Sequence, residues 1–270
     1  MKHFMKLGHP ILSLSMRGYG LSAIPKNNKT GKPLEGYHLF DDLVEDVRAA
    51  VEYATMDGKG IPLLAAHDWG SSISWNYVSQ CRTWKGDGEI CGYISLSIPP
   101  PQCFKANFGF KQLWASLYMF FFNMPWVPEF VFLFNKAWII GQIMNATKQA
   151  ILPQWMTESY RVNCLQTGSM TAQFNYYRGF FQLAPKPAKE DRLGPGKSES
   201  DPPRRLECPI TMIRGKDDDA ITEGLFVGYD RYLSDAKLVA LDQCSHWITA
   251  DRPNEVNQEM ELLLERCNKA

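Results

Sequence analysis

Short apolar runs alternate with helical periodicity along most of the chain. Residues 38–56 repeat apolar positions at helical spacing with acids in the first turn, and residues 71–80 predict a second helix. Alternating strands and helices predict an α/β fold with a mostly parallel sheet flanked by helices. The runs that predict its buried strands are rich in Ile, Leu and Val and end in turn-forming residues; they are 11–16, 62–67, 90–98, 209–215 and 236–243.

The alternation is interrupted once. Residues 99–184 are helical in pattern and aromatic, with no strand pattern, and the strand punctuation resumes near Cys208. We therefore expect a helical cap, or lid, over 99–184, inserted between two parts of one core domain at 1–98 and 207–270. Residues 185–206 are rich in Pro, Gly and charge, which predicts an exposed linker.

Composition narrows the class of partner. The chain has 29 basic and 29 acidic residues, so it lacks the broad positive field that nucleic acid binding requires. Its seven cysteines are scattered without a CxxC pair, which favours reduced thiols over disulfides or structural zinc. The N-terminus lacks the continuous apolar run of a signal peptide. We expect a cytoplasmic protein that binds small molecules.

One densely apolar stretch, residues 113–141, resembles a membrane span by composition. We expect no stable span, and interpret the stretch as a lid with an apolar underside. Contact between the top of the lid and a membrane is the alternative. The polar and proline residues that interrupt the stretch are Asn123, Pro125, Pro128, Glu129, Asn135 and Lys136.

The segment LLAAHDWGSSIS, residues 63–74, places an aspartate between a strand and a helix. Ala66 and Gly70 flank Asp68 at minus two and plus two, the small-residue spacing of a nucleophile elbow. In such a turn the strained backbone pushes one side chain into the cleft, and the amides of the following helix stabilise its charge. The alternative is that Asp68 only caps this helix. Local features leave both interpretations open.

Two later loops supply the partners that such a nucleophile needs. In α/β-hydrolases the chain order is nucleophile, acid and histidine, and the last two each follow a late strand. Here KDDD follows the run 209–215, and CSHW follows 236–243. We predict His246 as the catalytic histidine, although a structural loop histidine is the alternative. Asp218 is our choice of acid, with Asp217 and Asp219 as rivals.

An aspartate nucleophile determines which reactions are possible. A carboxylate is ionised at neutral pH and can displace a leaving group from saturated carbon, which forms an alkyl ester of Asp68. His246 can then deprotonate a water that attacks this ester, while Asp218 orients the imidazole. The backbone N–H of Trp69 can bind the oxyanion. This chemistry requires no cofactor and no metal, so we expect neither.

Three motifs together resemble the epoxide hydrolases of the α/β-hydrolase superfamily. They are RGYGLS at 17–22 with Pro25, HDWG at 67–70 and CSHW at 244–247, and the resemblance covers nearly the whole chain. It implies addition of water to a small apolar epoxide, giving a vicinal diol. HDWG alone also occurs in haloalkane dehalogenases.

The resemblance also implies two lid tyrosines that bind the epoxide oxygen. Tyr177, in NYYR at 175–178, is similar to one of them, with Tyr176 second in rank, and Tyr118 falls where the other is expected. A phenol stays protonated at neutral pH and can donate to the developing alkoxide. Ordinary packing in an aromatic lid is the alternative. The residues expected to shape an apolar pocket, or to pack in the core, are Phe121, Trp126 and Trp247.

The N-terminus departs from the pattern of this family. Epoxide hydrolases begin with three further strands, the third followed by an HGxP turn that provides the second oxyanion donor. This sequence begins at a point that corresponds to the helix after that turn. The third strand lies between the equivalents of 11–16 and 62–67, so we expect a sheet incomplete at the N-terminus and impaired activity.

Two other functions stay open at this stage. A haloalkane dehalogenase uses the same aspartate ester, but it binds halide with indole N–H groups. A non-catalytic binding protein keeps the cleft without the reaction. The sequence predicts no oligomeric state. The indole donors of a dehalogenase are expected to be Trp69 and a lid tryptophan, one of Trp114, Trp126 and Trp138.

Overall fold

The computed structural model describes residues 1–24, 26, 30–31, 38–56, 60–80, 90–144, 152–182 and 205–269. The strands are Leu63–His67 (β1), Gly92–Leu96 (β2), Ile210–Gly215 (β3) and Ala236–Leu241 (β4). The helices are Lys2–Lys6 (α1), His38–Thr55 (α2), Trp69–Gln80 (α3), Pro101–Asn107 (α4), Phe110–Ala115 (α5), Leu117–Asn123 (α6), Val127–Met144 (α7), Gln154–Cys164 (α8), Ser169–Gln182 (α9), Ile248–Asp251 (α10) and Pro253–Lys269 (α11).

A parallel sheet lies between two helical layers. Its strands pair in the order β1-β2-β3-β4, and every described pairing is parallel. Tyr93 and Met212 pack in one core cluster with α2 and α3, while Ile94 and Ile213 pack in a second cluster with α10 and α11. Successive strand residues point to opposite faces, so strands covered on both sides are apolar throughout. The predicted α/β architecture is confirmed.

The first predicted strand is wrong. Residues 11–16 form no strand, and Leu12 and Leu14 stay exposed to solvent. Within the described residues no strand pairs with the free edge of β1, so 11–16 has no neighbouring strand to bond with. An extended segment without a paired neighbour does not gain the hydrogen bonds that stabilise a strand. The other four predicted strands are confirmed, each within two residues at either end.

The segment after β2, which interrupts the alternation of strands and helices, is helical, as its sequence pattern predicts. The described residues between 99 and 182 form α4 to α9 and contain no strand. A cluster of Phe132, Ile140, Met170 and Phe174 packs α7 against α9. The bounds of the cap stay a prediction. Most of the predicted linker, residues 185–204, lies outside the described residues.

A buried ion pair fixes two lid helices together. Arg178 of α9 binds both carboxylate oxygens of Glu129 in α7, at 2.8 and 3.0 Å, and donates to the carbonyl of Met124. A bidentate guanidinium–carboxylate pair sets orientation as well as distance. The position of α9 relative to α7 therefore depends on Arg178.

In the described part of the chain, no single helix has the length and apolar composition needed to cross a membrane. One pair passes that test jointly, α6 with α7, but the two helices bend by 94° at the break between them.

Candidate active site

The Asp68 turn has the strained backbone that its neighbours predict. Asp68 follows β1, has φ of +51°, and directly precedes the first residue of α3. A left-handed conformation is unfavourable for a residue with a Cβ, so the surrounding structure must hold it. A Cβ placed at Gly70 would lie 3.8 Å from the Cβ of Ala66, so the two chain segments pass closely. The backbone here has the geometry of a nucleophile elbow, and the role of Asp68 as nucleophile stays a prediction.

Two loops bring a histidine and an acid to this turn. His246 donates from Nε2 to Asp68 Oδ1 at 3.2 Å and from Nδ1 to Asp218 Oδ2 at 2.9 Å. The Asp68 side chain is 40% exposed, so a substrate can reach it, whereas that of Asp218 is 1% exposed. Because its carboxylate bonds to His246, Asp68 does more than cap α3.

The structure also selects one of the three candidate acids. Asp218 Oδ1 accepts the backbone N–H groups of Ala220 and Ile221, at 2.8 and 2.9 Å. Asp217 and Asp219 are exposed. Two amide donors and one imidazole donor hold Asp218 in a single orientation, as the orienting acid of a triad requires.

A glycine allows the acid and histidine loops to meet. Gly215 ends β3, and a Cβ there would lie only 2.2 Å from the carbonyl oxygen of Cys244. The amide of Asp217 donates to the same carbonyl at 3.0 Å. Since β3 and β4 are parallel neighbours, their carboxyl ends lie at one edge of the sheet. A side chain at 215 would separate Asp218 from His246.

The histidine loop has a second anchor that the sequence analysis missed. His67 donates from Nε2 to the carbonyl of His246 at 2.8 Å, and the Ser97 hydroxyl donates to the same oxygen at 3.2 Å. Burial and the nearby charge of His246 lower the pKa of His67, which favours its neutral form. In the sequence, the position of His67 directly before Asp68 was the feature that could have indicated this role.

The charges of the two catalytic candidates stabilise each other. Burial opposes the charged form of Asp68, but hydrogen bonds from His246 and the Trp69 backbone N–H lower its pKa to about 2. Burial likewise opposes the charge on His246, but hydrogen bonds to Asp218 and Asp68 raise its pKa to about 10. At neutral pH the free site is therefore an imidazolium between two carboxylates.

Two lid tyrosines lie close enough to this centre for the charge of Asp68 to act on them. Burial raises the pKa of both Tyr118 and Tyr177, and the negative charge of Asp68 raises it further. Their ring centroids are 6.1 Å apart, and Phe122 packs against both rings. The Trp69 side chain hydrogen bonds to Tyr177. Both phenols therefore stay protonated at neutral pH as potential donors.

Tyr176 has a different position. Its ring is buried, and its hydroxyl donates to the carbonyl of Arg17 at 2.8 Å. Arg17 in turn binds the carboxylate of Asp46 in α2 through two nitrogens, at 2.5 and 2.8 Å. Tyr176 thus ties the lid to the RGYG segment, and its hydroxyl is not available to the cleft.

The predicted pocket residues lie in three different environments. The Trp247 ring lies 5.9 Å from that of His246, beside the site. Phe121 is half-buried against the lid cluster. Trp126 is a correction, because it is 81% exposed at the lid surface in a turn with φ of +62°. Phe122, which contacts both tyrosines, is an aromatic neighbour of the site that the sequence analysis did not single out.

Gln112 joins the lid to the acid loop. Its side chain is buried, and its Nε2 donates to the Ala220 carbonyl at 2.8 Å and to the Ser116 hydroxyl at 2.9 Å. Its Oε1 accepts from the Thr222 amide and hydroxyl, at 2.9 and 3.0 Å. These partners flank Ile221, whose N–H holds Asp218. Gln112 therefore couples α5 to the loop that holds Asp218, the candidate acid.

Replacing Gln112 by leucine should destabilise the protein measurably. The variant leaves the partly buried Thr222 amide and Ala220 carbonyl without their side-chain partner, and we expect the free energy of unfolding to fall by about 1 to 2 kcal/mol. Urea denaturation followed by circular dichroism measures this loss. Gln166→Leu, at an exposed position, is the matched control and should change stability little. Equal stability of the two variants would contradict the assignment.

Comparison with known proteins places the chain among related hydrolases. AB hydrolase superfamily protein YfhM of Bacillus subtilis (strain 168) is 26% identical over 269 residues, covering 98% of this chain and 82% of its own. Epoxide hydrolase 3 of Mus musculus is 25% identical, covering 94% of this chain. Epoxide hydrolase 1 of Caenorhabditis elegans is 26% identical, also covering 94%. The chain spans only 63% and 58% of the lengths of these two epoxide hydrolases.

Solved structures agree with the fold. The crystal structure of Bacillus megaterium epoxide hydrolase in complex with an inhibitor superposes with a TM-score of 0.70 at 23% identity, covering 93% of this chain and 82% of that one. The resemblance to epoxide hydrolases is thus confirmed at the level of relatives and fold. A family described as the alpha/beta hydrolase family matches residues 3–259. The chain belongs to the alpha/beta hydrolase family.

Proposed function

We propose that the protein is an epoxide hydrolase, which adds water to a small apolar epoxide and releases a vicinal diol. The observation that carries this proposal is the position of Asp68: its carboxylate bonds to the His246–Asp218 pair, and its charge acts on the phenols of Tyr118 and Tyr177 nearby. Trp69, Phe122 and Trp247 supply aromatic rings near these groups, which suits an apolar substrate. A cytoplasmic location stays a prediction.

The first step forms a covalent ester. An Asp68 oxygen attacks a ring carbon of the epoxide, and the bond between that carbon and the epoxide oxygen breaks. Tyr118 and Tyr177 donate hydrogen bonds to the departing oxygen, and one of the phenols transfers its proton to it. The low pKa of Asp68 keeps the nucleophile ionised at neutral pH. The product of this step is a hydroxyalkyl ester of Asp68.

The second step depends on a change in charge. Once Asp68 is an ester, it no longer raises the pKa of His246, which therefore falls from its value of about 10 in the free site. The imidazolium gives its proton to the phenolate that the first step left, which restores the phenol. The neutral imidazole then accepts a proton from water as the water oxygen attacks the ester carbonyl carbon. The backbone N–H of Trp69 binds the resulting oxyanion. Its collapse expels the diol oxygen, which takes the proton from His246, and the Asp68 carboxyl group then gives its proton to His246, which restores the carboxylate and the imidazolium.

The positions of the tryptophan side chains support a dehalogenase less well than an epoxide hydrolase. It needs indole N–H groups directed at a halide beside Asp68. The side chain of Trp69 bonds to Tyr177. The three lid tryptophans considered as the second donor, Trp114, Trp126 and Trp138, are all exposed.

Single tyrosine-to-phenylalanine variants test the proposed reaction. Tyr118→Phe and Tyr177→Phe should each lower diol formation from styrene oxide by about 100-fold, because each removes a donor to the developing alkoxide. Diol is measured by chromatography, and halide release from 1-bromobutane is measured in parallel. Tyr160→Phe, at an exposed position in α8, is the control and should behave as wild type.

Two outcomes would contradict the proposal. Halide release that is insensitive to both tyrosines, without diol formation, would identify a dehalogenase. Absence of product from both substrates, with no mass adduct on Asp68, would favour the binding protein.

A further inference from the structure

The first half of α7 turns an apolar face to solvent. Trp126, Phe130 and Phe134 follow one another at intervals of four residues and are 81%, 72% and 68% exposed. The rings of Phe130 and Phe134 have centroids 6.2 Å apart, and Trp126 directly precedes the first residue of α7; we call these three exposed rings the lid stripe. Phe132 and Pro128, on the opposite side, are buried in the protein. This helix is therefore apolar on both its inner and its outer face.

The helices before α7 also expose aromatic side chains to solvent. In α5, Phe110 and Trp114 are also four residues apart and exposed, and Phe120 of α6 is exposed as well. Isolated surface hydrophobic residues are common, but grouped rings of this size on a water-facing surface indicate an interaction site. None of these side chains takes part in the proposed reaction.

The charges around the lid stripe identify the partner. The charged residues of 101–144 are Lys105, Lys111, Lys136 and one acid, Glu129, which is buried against Arg178. All three lysines are exposed, so the exposed charges of 101–144 are positive. On the neighbouring α8, the acid Glu158 is paired with Arg161, which donates to the Lys136 carbonyl. An anionic lipid surface matches both features, because Trp and Phe enter the headgroup region and Lys pairs with lipid phosphates. The straight helical pieces here are too short to cross a bilayer, since α6 has 7 residues and α7 is broken at 134–137.

We propose that the lid stripe docks the protein on the surface of an anionic lipid bilayer, with the three lysines at the level of the phosphates. The lid faces the bilayer, and the core sheet stays in water. This binding is independent of the reaction at Asp68, so the variants that test one leave the other unchanged.

Vesicle flotation tests this docking directly. The wild-type protein should float with vesicles of phosphatidylcholine and phosphatidylglycerol at 7:3 and bind pure phosphatidylcholine at least about tenfold more weakly. The triple variant Trp126→Ser, Phe130→Ser, Phe134→Ser should lose at least about tenfold in affinity for the mixed vesicles. Charge reversal at Lys105, Lys111 and Lys136 to glutamate should abolish the preference for anionic lipid.

A matched control separates the lid stripe from general surface hydrophobicity. The control variant has serine in place of three exposed apolar residues of the core part, Leu21, Tyr53 and Met56. This control variant should float as the wild-type protein does. Circular dichroism of each variant establishes that it is folded.

Three outcomes would overturn the proposal. The first is wild-type protein that stays in solution with both vesicle types. The second is equal flotation of the lid-stripe and control variants. The third is that the wild-type protein is a dimer in size-exclusion chromatography, the lid-stripe variant is a monomer, and neither protein floats. That result would mean that this surface binds a second copy of the chain. If the lid-stripe variant does not fold, the lysine variant alone decides, because its exposed positions carry no packing.

Discussion

Asp68→Asn should form no detectable diol from styrene oxide, a loss of at least about 10⁴-fold in turnover. The amide has nearly the shape of the carboxylate, so the turn at φ of +51° and the contact with His246 can persist. It lacks the negative charge that attacks carbon, and this charge is the property the reaction needs. Intact-protein mass spectrometry should show no adduct on the variant after brief exposure to the epoxide.

The control for this variant is Asp217→Asn, which makes the same change at an exposed acid directly before Asp218. It should keep wild-type turnover. A second readout uses the pKa of His246, measured by NMR. In Asp68→Asn one of the two carboxylates that raise this pKa is gone, so it should fall below the value of about 10 in the free site. Diol formation by the asparagine variant at a wild-type rate would exclude Asp68 as nucleophile.

The sequence predicted those features that depend on local pattern. Four strands, the helices flanking them and the turn at Asp68 follow from residues adjacent in the chain, such as Ala66 and Gly70. The meeting of His246 with the acid loop was also predictable, because parallel neighbouring strands end at one edge of the sheet. The sequence did not distinguish the three acids. In the structure, Asp218 accepts hydrogen bonds from the amides of residues 220 and 221 and bonds to His246.

Features that depend on distant partners were not predictable in the same way. Residues 11–16 have the composition of a strand, but pairing requires a neighbouring strand, which the pattern of the segment itself does not specify. Within the aromatic lid, composition did not distinguish the exposed Trp126 from Phe122, which packs on both tyrosines. Gln112 gave no sign in the sequence of its role, because its partners are Ser116, just after α5, and two residues of a loop about 110 residues away, Ala220 and Thr222.

His246→Gln should separate the two halves of the reaction. Without the imidazolium the pKa of Asp68 returns toward the ordinary value of an aspartate, near 4, so the nucleophile is still ionised at neutral pH. Ester formation should therefore continue within about tenfold of the wild-type rate, while diol release falls by about 10⁴-fold because no base activates water. One epoxide should accumulate on each protein molecule, located on Asp68 by peptide mass spectrometry.

The matched control is His9→Gln, an exposed histidine outside the site, which should turn over without accumulating ester. The contrast between Asp68→Asn and His246→Gln is informative because the same epoxide treatment should give no adduct in the first and a stable adduct in the second. A protein that only binds epoxides gives no adduct in either variant. Diol release by His246→Gln at the wild-type rate would mean that another group activates the water, and the hydrogen bond between His246 and Asp218 would then have only a structural role.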